Sequence, residues 1–184
     1  MLFRSIEYHQ QCLSIAKDVG HKGLQGCAYG SLGCVYEAIG DLKTAMEYHQ
    51  QCLSIAKDAG NKAEQRRAYG HFGSVYFSLG DLTTAMEYYQ QSLSIAKDVG
   101  YKADQGRAYS DLGSVYRSLG KWRTAITYYQ QCLSIAKDVG DKIEQGSAYG
   151  SLGSVYYCLG DLKKAMEYNQ QCLSIAQEIG RAHV

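Results

Sequence analysis

QQCLSIAKD, from Gln50 to Asp58, decides the fold because it is not unique. It returns unchanged at Gln10–Asp18 and Gln130–Asp138, with Ser92 in place of cysteine at Gln90–Asp98, and as QQCLSIAQE at Gln170–Glu178. Successive copies lie forty residues apart. A fixed period of that size marks a stack of supersecondary units, each burying its apolar face against its neighbours, so the core is a continuous seam.

One unit, Asn61 to Gly100, shows the local structure. Ala68, Tyr69, Phe72, Val75, Tyr76 and Leu79 recur at steps of three and four in its first half, as do Leu82, Ala85, Met86, Tyr89, Leu93 and Ala96 in its second. Both halves are therefore read as amphipathic helices of about seventeen residues, or roughly 25 Å at 1.5 Å rise per residue. Between them, Gly80 ends one helix and Asp81 caps the next, and Gly40-Asp41 and Gly160-Asp161 repeat the device. At Gly120-Lys121 the cap is lost. Gly20, Gly60, Gly100 and Gly140 mark the second break. With no proline and only one or two residues expected at each break, consecutive helices must be antiparallel neighbours.

Glycine also recurs inside the first helix, at Gly33, Gly73, Gly113 and Gly153, and alanine inside the second, at Ala45, Ala85, Ala125 and Ala165. A helix-interior glycine costs about 1 kcal/mol relative to alanine, so its return implies a close approach that it permits. The expected arrangement sets glycine against alanine.

Composition narrows the function class. The 19 basic and 18 acidic side chains give a net charge of +1, so no overall field favours nucleic acid or an anionic membrane. No apolar run is long enough to span a bilayer. Four of the seven cysteines, Cys12, Cys52, Cys132 and Cys172, are one repeat position seen four times, and no C-x-x-C occurs, so no metal is expected. Reduced, packed thiols fit a cytoplasmic protein. The chain contains no nucleophile elbow, phosphate loop or H-E-x-x-H, so the reading assigns no catalytic residue, no enzyme activity and no cofactor.

The stretch AYGSLGSVYYCLGDLKKAMEYNQQCLSIA, Ala148 to Ala176, resembles the tetratricopeptide repeat. Tyr149, Leu152, Gly153, Tyr156, Gly160, Asp161, Ala165, Tyr168, Cys172 and Leu173 carry that resemblance, and all four complete units share it. Where the family has a proline closing the second helix this chain has Lys57, Lys97, Lys137 and Gln177, and the repeat lengthens to forty. In that length, and in its L-S-I-A-K and G-D-K-x-E-Q-G elements, it is similar to the repeats of the G-protein-signalling modulators, which are spindle-orientation adaptors. The resemblance implies an all-α, right-handed superhelical solenoid of antiparallel helix pairs, about nine helices in all, serving as a scaffold for protein partners. The units are read as the second helix of a truncated repeat at 1–19, four repeats at 20–59, 60–99, 100–139 and 140–179, and a tail at 180–184.

It further implies that the concave groove is lined by the first helices, in columns where the copies disagree. These columns hold Arg67, His71, Ser74 and Phe77 in one copy, Arg107, Asp111, Ser114 and Arg117 in the next, and Tyr157 in the last. Arg67, His71, Arg107 and Arg117 make the groove basic, with Phe77 and Tyr157 as apolar anchors. Guanidinium groups hold carboxylates in bidentate fashion, so an extended, acidic peptide is the expected ligand. The chaperone-tail clamp of some relatives needs lysine and asparagine in these columns; neither is present, and that ligand is not expected. The abundant tyrosines fall in packing columns, which argues against a nucleic-acid stacking platform. His9 and His49 share the column of Tyr89 and Tyr129 and are read as packing residues. An alternative is a structural module, engineered or recently duplicated, that self-associates head to tail or by exchange through its uncapped terminal helices.

Overall fold

The structure is a computed structural model that describes residues 2–181, with side chains described over 4–180. The described residues form nine helices: α1 (Leu2–Asp18), α2 (Lys22–Ile39), α3 (Leu42–Asp58), α4 (Lys62–Ser78), α5 (Leu82–Asp98), α6 (Lys102–Ser118), α7 (Trp122–Asp138), α8 (Lys142–Cys158) and α9 (Leu162–Arg181). The all-α array of paired helices matches the sequence expectation. The breaks are two or three residues long, slightly more than expected. At each of the eight, glycine takes a positive φ between 64° and 88°. That conformation lets two backbone N–H groups turn back onto the helix just ended, as when Gly80 donates to the Phe77 carbonyl and Asp81 to that of Tyr76, both at 3.0 Å.

Starts are capped as the sequence predicts. Asp41, Asp81 and Asp161 each accept from the backbone N–H three residues on, at 3.1 Å, whereas Lys121 makes no side-chain cap. The start of α2 uses an unforeseen cap, His21, whose Nδ1 accepts from the Leu24 N–H.

The chain divides into two compact units, residues 1–95 and 96–184. In the first, Leu13, Ala28 and Leu32 form one buried cluster and Leu53, Ala68 and Phe72 another, with tyrosines packed around each. In the second, Ala125, Tyr129, Cys132, Leu133, Ala148, Leu152 and Val155 form the core, and Trp122 packs at its edge. The same device fastens one helix pair to the next in both units. A buried glutamine near the start of the first-type helix donates its Nε2 proton to a carbonyl near the end of the preceding helix. Gln25 reaches Ala16 and Gln65 reaches Ala56 in the first unit, and Gln105 reaches Ala96 and Gln145 reaches Ala136 in the second, each at 3.0 Å. The carbonyls so held are among the four that every helix end leaves without an intrahelical partner.

The lysines that stand where the family has proline also have a task. Lys17, Lys57, Lys97 and Lys137 place their ammonium groups 5.3–5.7 Å from the ring centres of Tyr29, Tyr69, Tyr109 and Tyr149 on the next helix. Such contacts contribute about 0.5–1 kcal/mol each at exposed sites.

Two expectations are corrected. The interior glycines make room for a ring or amide on the second helix and do not primarily face alanine. A Cβ at Gly73 would lie 2.5 Å from Tyr89, at Gly113 2.7 Å from Tyr129 and at Gly33 2.3 Å from His49, while at Gly153 the nearest atom is the Asn169 amide oxygen at 2.2 Å. The residue four positions beyond the alanine is larger and reaches the glycine first. The second correction concerns Gly180, which stands where Gly140 ends a helix yet remains inside α9. Two residues of the expected tail are therefore helical, and 182–184 lie outside the described residues.

Candidate functional site

In the first unit, three successive helices bring together groups that the repeat pattern sets apart from their counterparts. Glu37 stands on α2, His49 on α3 and His71 on α4. His49 is fully buried, and its Nε2 lies 2.5 Å from the Glu37 carboxylate. His71 Nδ1 is 3.4 Å from the same oxygen, and the two imidazoles stack with ring centres 4.5 Å apart and planes 3° from parallel. Cys34, one turn before Glu37, places its Sγ 3.5 Å from His71 Nε2.

Burial alone would raise the Glu37 carboxyl, but hydrogen bonds to His49 and His71 and the charge of His71 outweigh it and hold the group at about 2. Burial likewise would lower His71, yet its hydrogen bonds to Cys34 and Glu37 push it up to about 9. An imidazolium facing a carboxylate is thus the state at neutral pH. The Nδ1 atom of His49 is buried without a hydrogen-bond partner. Glu37, His49 and His71 each offer a ligand atom within 4.8 Å of the others, a set of metal-binding type where none was expected.

Beside this cluster, a pocket of about 200 Å³ between α2, α3 and α4 is lined by Cys27, Ser31, Cys34, Cys52, Arg67 and His71 among others. Cys52 is buried, and that burial raises its thiol to about 11. It is a packing thiol. Burial and a hydrogen bond to Glu144 push Cys132 up as well.

The residues expected to line a groove fall into different situations. In the first unit, Arg67 is 56% exposed on α4 and pairs with Glu64 one turn back at 3.0 Å, Phe77 and Ser74 are half-buried, and His71 is engaged by Glu37 and Cys34. In the second, Arg107 is 62% exposed on α6 and lies 3.8 Å from Asp104. Arg117 and Tyr157 are exposed and Asp111 is half-buried. The Ser114 hydroxyl is occupied by the Ser110 carbonyl and the Tyr129 hydroxyl, both at 3.1 Å. Sequence reasoning missed the association of Glu37, His49 and Cys34 with His71. The available signal was that Cys34, Glu37 and His49 fall together in one copy, and His71 in the neighbouring copy completes the set.

Among the described residues no helix is long and apolar enough to cross a membrane. A comparison with curated protein sequences finds no match. Solved structures show the same fold at low identity. BtubC (BKLC) from P. vanneervenii superposes with a TM-score of 0.84 at 20% identity, covering 97% of this chain and 74% of that one. Aspartyl phosphate phosphatase F from Bacillus subtilis gives 0.88 at 19%, over 95% of this chain and 46% of that one. A Rap protein complexed with competence and sporulation factor gives 0.86 at 18%, over 94% and 48%. This chain thus spans less than half the length of the latter two. The tetratricopeptide repeat profile matches residues 2–58, 64–138 and 104–178, which together include nearly all of the helices described above. The chain belongs to the tetratricopeptide repeat family.

Proposed function

We propose that this chain is a cytoplasmic, non-catalytic adaptor that binds extended, acidic peptide segments of protein partners along the surfaces of its first-type helices. The observation that carries the reading is the recurrence of an exposed arginine at one register position, Arg67 in the first unit and Arg107 in the second, each near a carboxylate one turn away. Exposed ion pairs of this kind contribute roughly 0–1 kcal/mol, so either guanidinium can be redirected to a ligand carboxylate at little cost. Asp111 and Arg117 follow Arg107 along α6 in the second unit. Phe77 and Tyr157 supply apolar anchors, and Ser74 and Ser114 lie about two turns beyond Arg67 and Arg107 on the same helices. The complex of a Rap protein of the same fold with competence and sporulation factor supports a role in binding a partner, and the resemblance drawn from the sequence to the G-protein-signalling modulators would extend that role to peptide segments. Neither nucleic acid nor membrane is part of this reading.

Selection from a random peptide display library tests it. Enrichment of carboxylate-rich sequences by the wild-type chain, weakened by salt and lost in Arg67→Glu/Arg107→Glu, is the expected result. Selection without acidic bias, or equal selection by the double variant, rejects it.

Self-association is a second reading, favoured by the exposed apolar residues Leu162, Met166 and Leu173 on α9. The matching residue Leu53 packs against the next first-type helix. Exposed Ile15 on α1 likewise matches Ile55, which touches Gly26 of a first-type helix. Direct docking of α9 on α1 would join two second-type helices, so a homo-oligomer would form by exchange or by like-with-like contact. Light scattering that gives only the monomer mass across a wide concentration range would reject it.

A further inference from the structure

We propose that Glu37, His49 and His71, with Cys34 as fourth ligand, form a site for a divalent transition-metal ion, zinc by preference. The first argument is coincidence of position. In the column of Glu37 the other copies carry Phe77, Arg117 and Tyr157; in that of Cys34 they carry Ser74, Ser114 and Ser154. The column of His49 has His9 in the truncated repeat and Tyr89, Tyr129 and Asn169 in the later copies, and that of His71 has Ser31, Asp111 and Ser151. The four columns thus hold a metal-binding residue type together at one place in the array, drawn from two adjoining copies, where Glu37, His49 and His71 bring ligand atoms within 4.8 Å of one another and Cys34 lies beside His71.

The second argument is that packing alone does not explain His49. At the same position Tyr129 is buried with its hydroxyl hydrogen-bonded to Ser114 at 3.1 Å. His49 is buried just as completely, yet its Nδ1 has no partner and only its Nε2 is served. A tyrosine fills this space with its polar atom satisfied. Imidazole does so less well and offers instead a nitrogen aimed at Glu37.

The geometry is close to that of a coordinated ion. Zinc with bonds of about 2.0–2.3 Å to nitrogen, oxygen and sulfur sets tetrahedral ligand atoms about 3.3–3.8 Å apart. With His71 Nδ1 as the ligand atom, its 3.4 Å to Glu37 lies in that range and its 3.9 Å to Cys34 Sγ just beyond it, so the Cys34 side chain must swing inward, and the 2.5 Å between His49 and Glu37 opens by about 1 Å on admitting the ion. The parallel imidazoles must also part from their stack. His71, with 27% of its side chain exposed, is the one free to tilt, while His49 is fixed by its burial. A mixed set of imidazole, carboxylate and thiolate selects zinc and its neighbours over magnesium or calcium, which prefer all-oxygen shells. Because a thiolate and unprotonated imidazole nitrogens are the ligating forms, uptake of the ion releases protons.

The test uses the whole chain, stripped with chelator and titrated with zinc and with cobalt(II). One ion per chain, proton release, a raised melting temperature and a cobalt spectrum of tetrahedral type with a thiolate charge-transfer band are expected. His71→Ser and Glu37→Tyr place at each site the residue another copy carries there, so both are expected to fold, as circular dichroism will verify. They should lower affinity by about 100-fold or more. Cys34→Ser should abolish the charge-transfer band. Absence of stoichiometric uptake, or uptake unchanged in both folded variants, overturns the site. A charge-transfer band that survives in Cys34→Ser overturns the assignment of the fourth ligand.

Discussion

The ring of Tyr129 occupies the space a side chain at position 113 would need: a Cβ built on Gly113 lies 2.7 Å from Tyr129 Cε1. Alanine in a helix interior ordinarily stabilises by about 1 kcal/mol over glycine. Here overpacking of about 1–3 kcal/mol opposes that gain, so Gly113→Ala should destabilise and Gly113→Leu more so. Gly70→Ala is the control, because its Cβ would meet only Ser92 Oγ at 3.8 Å. It should raise the midpoint of urea unfolding while the first substitution lowers it.

Gln145 should be worth more than its place among ordinary polar residues suggests. Its Nε2 donates at 3.0 Å to the Ala136 carbonyl, which also accepts from the Asp141 N–H. Gln145→Leu should cost about 1 kcal/mol. The loss should appear locally, as faster amide exchange of Gly140 and Asp141, before it appears in global unfolding.

Lys121 starts α7 without a side-chain cap, where three counterparts have aspartate. Lys121→Asp should stabilise by about 0.5–1 kcal/mol. The gain is reduced by losing the ammonium group 5.9 Å from the Tyr116 ring. Thermal unfolding at low and high salt separates the two effects, since the cap persists in salt.

Cys52 links stability to pH on the alkaline side. Its thiol rises from 9.0 to about 11 in the fold because burial disfavours the thiolate. A raised folded value means that the stabilisation is complete below pH 9.0 and is lost as pH climbs through about 11. The difference between the wild type and Cys52→Ser, the residue found at position 92, should therefore shrink across that window, by on the order of 2 kcal/mol at most. Equal alkaline sensitivity of the two chains would contradict the assignment. In the native state below pH 9.0, thiol reagents should modify the exposed Cys27, Cys34 and Cys158 well before buried Cys52 and Cys132.

The helices and their breaks were legible in the sequence because each rests on a local device: apolar steps of three and four, a glycine able to take positive φ, an aspartate one residue later. Repetition displayed each device several times. The glycine–alanine pairing was misjudged because the column spacing identifies which helices approach but not which side chain reaches across; Tyr89 and Tyr129 are simply longer than Ala85 and Ala125. The glutamine fastening was visible as a constant column, but nothing in one column names its acceptor. The arginines at 67 and 107 were legible as exposed, whereas their pairing with Glu64 and Asp104 follows from ordinary one-turn spacing and was overlooked. The cluster at Glu37 was hidden for a different reason. His49 and His71 are 22 positions apart and Glu37 is 12 from the first of them, separations that acquire meaning only when three helices are in register.

That cluster has a consequence for how such an array can change. Glu37, His49 and Cys34 come from one copy and His71 from the one after it, so neither copy inherits the arrangement alone. Unequal exchange that duplicates or deletes a single forty-residue block leaves the helical seam intact, since any block fits beside any other. Deletion of either block breaks the arrangement, whereas duplication of either leaves one complete set and adds a copy that lacks its partners. The order of the copies therefore carries information that their individual sequences do not.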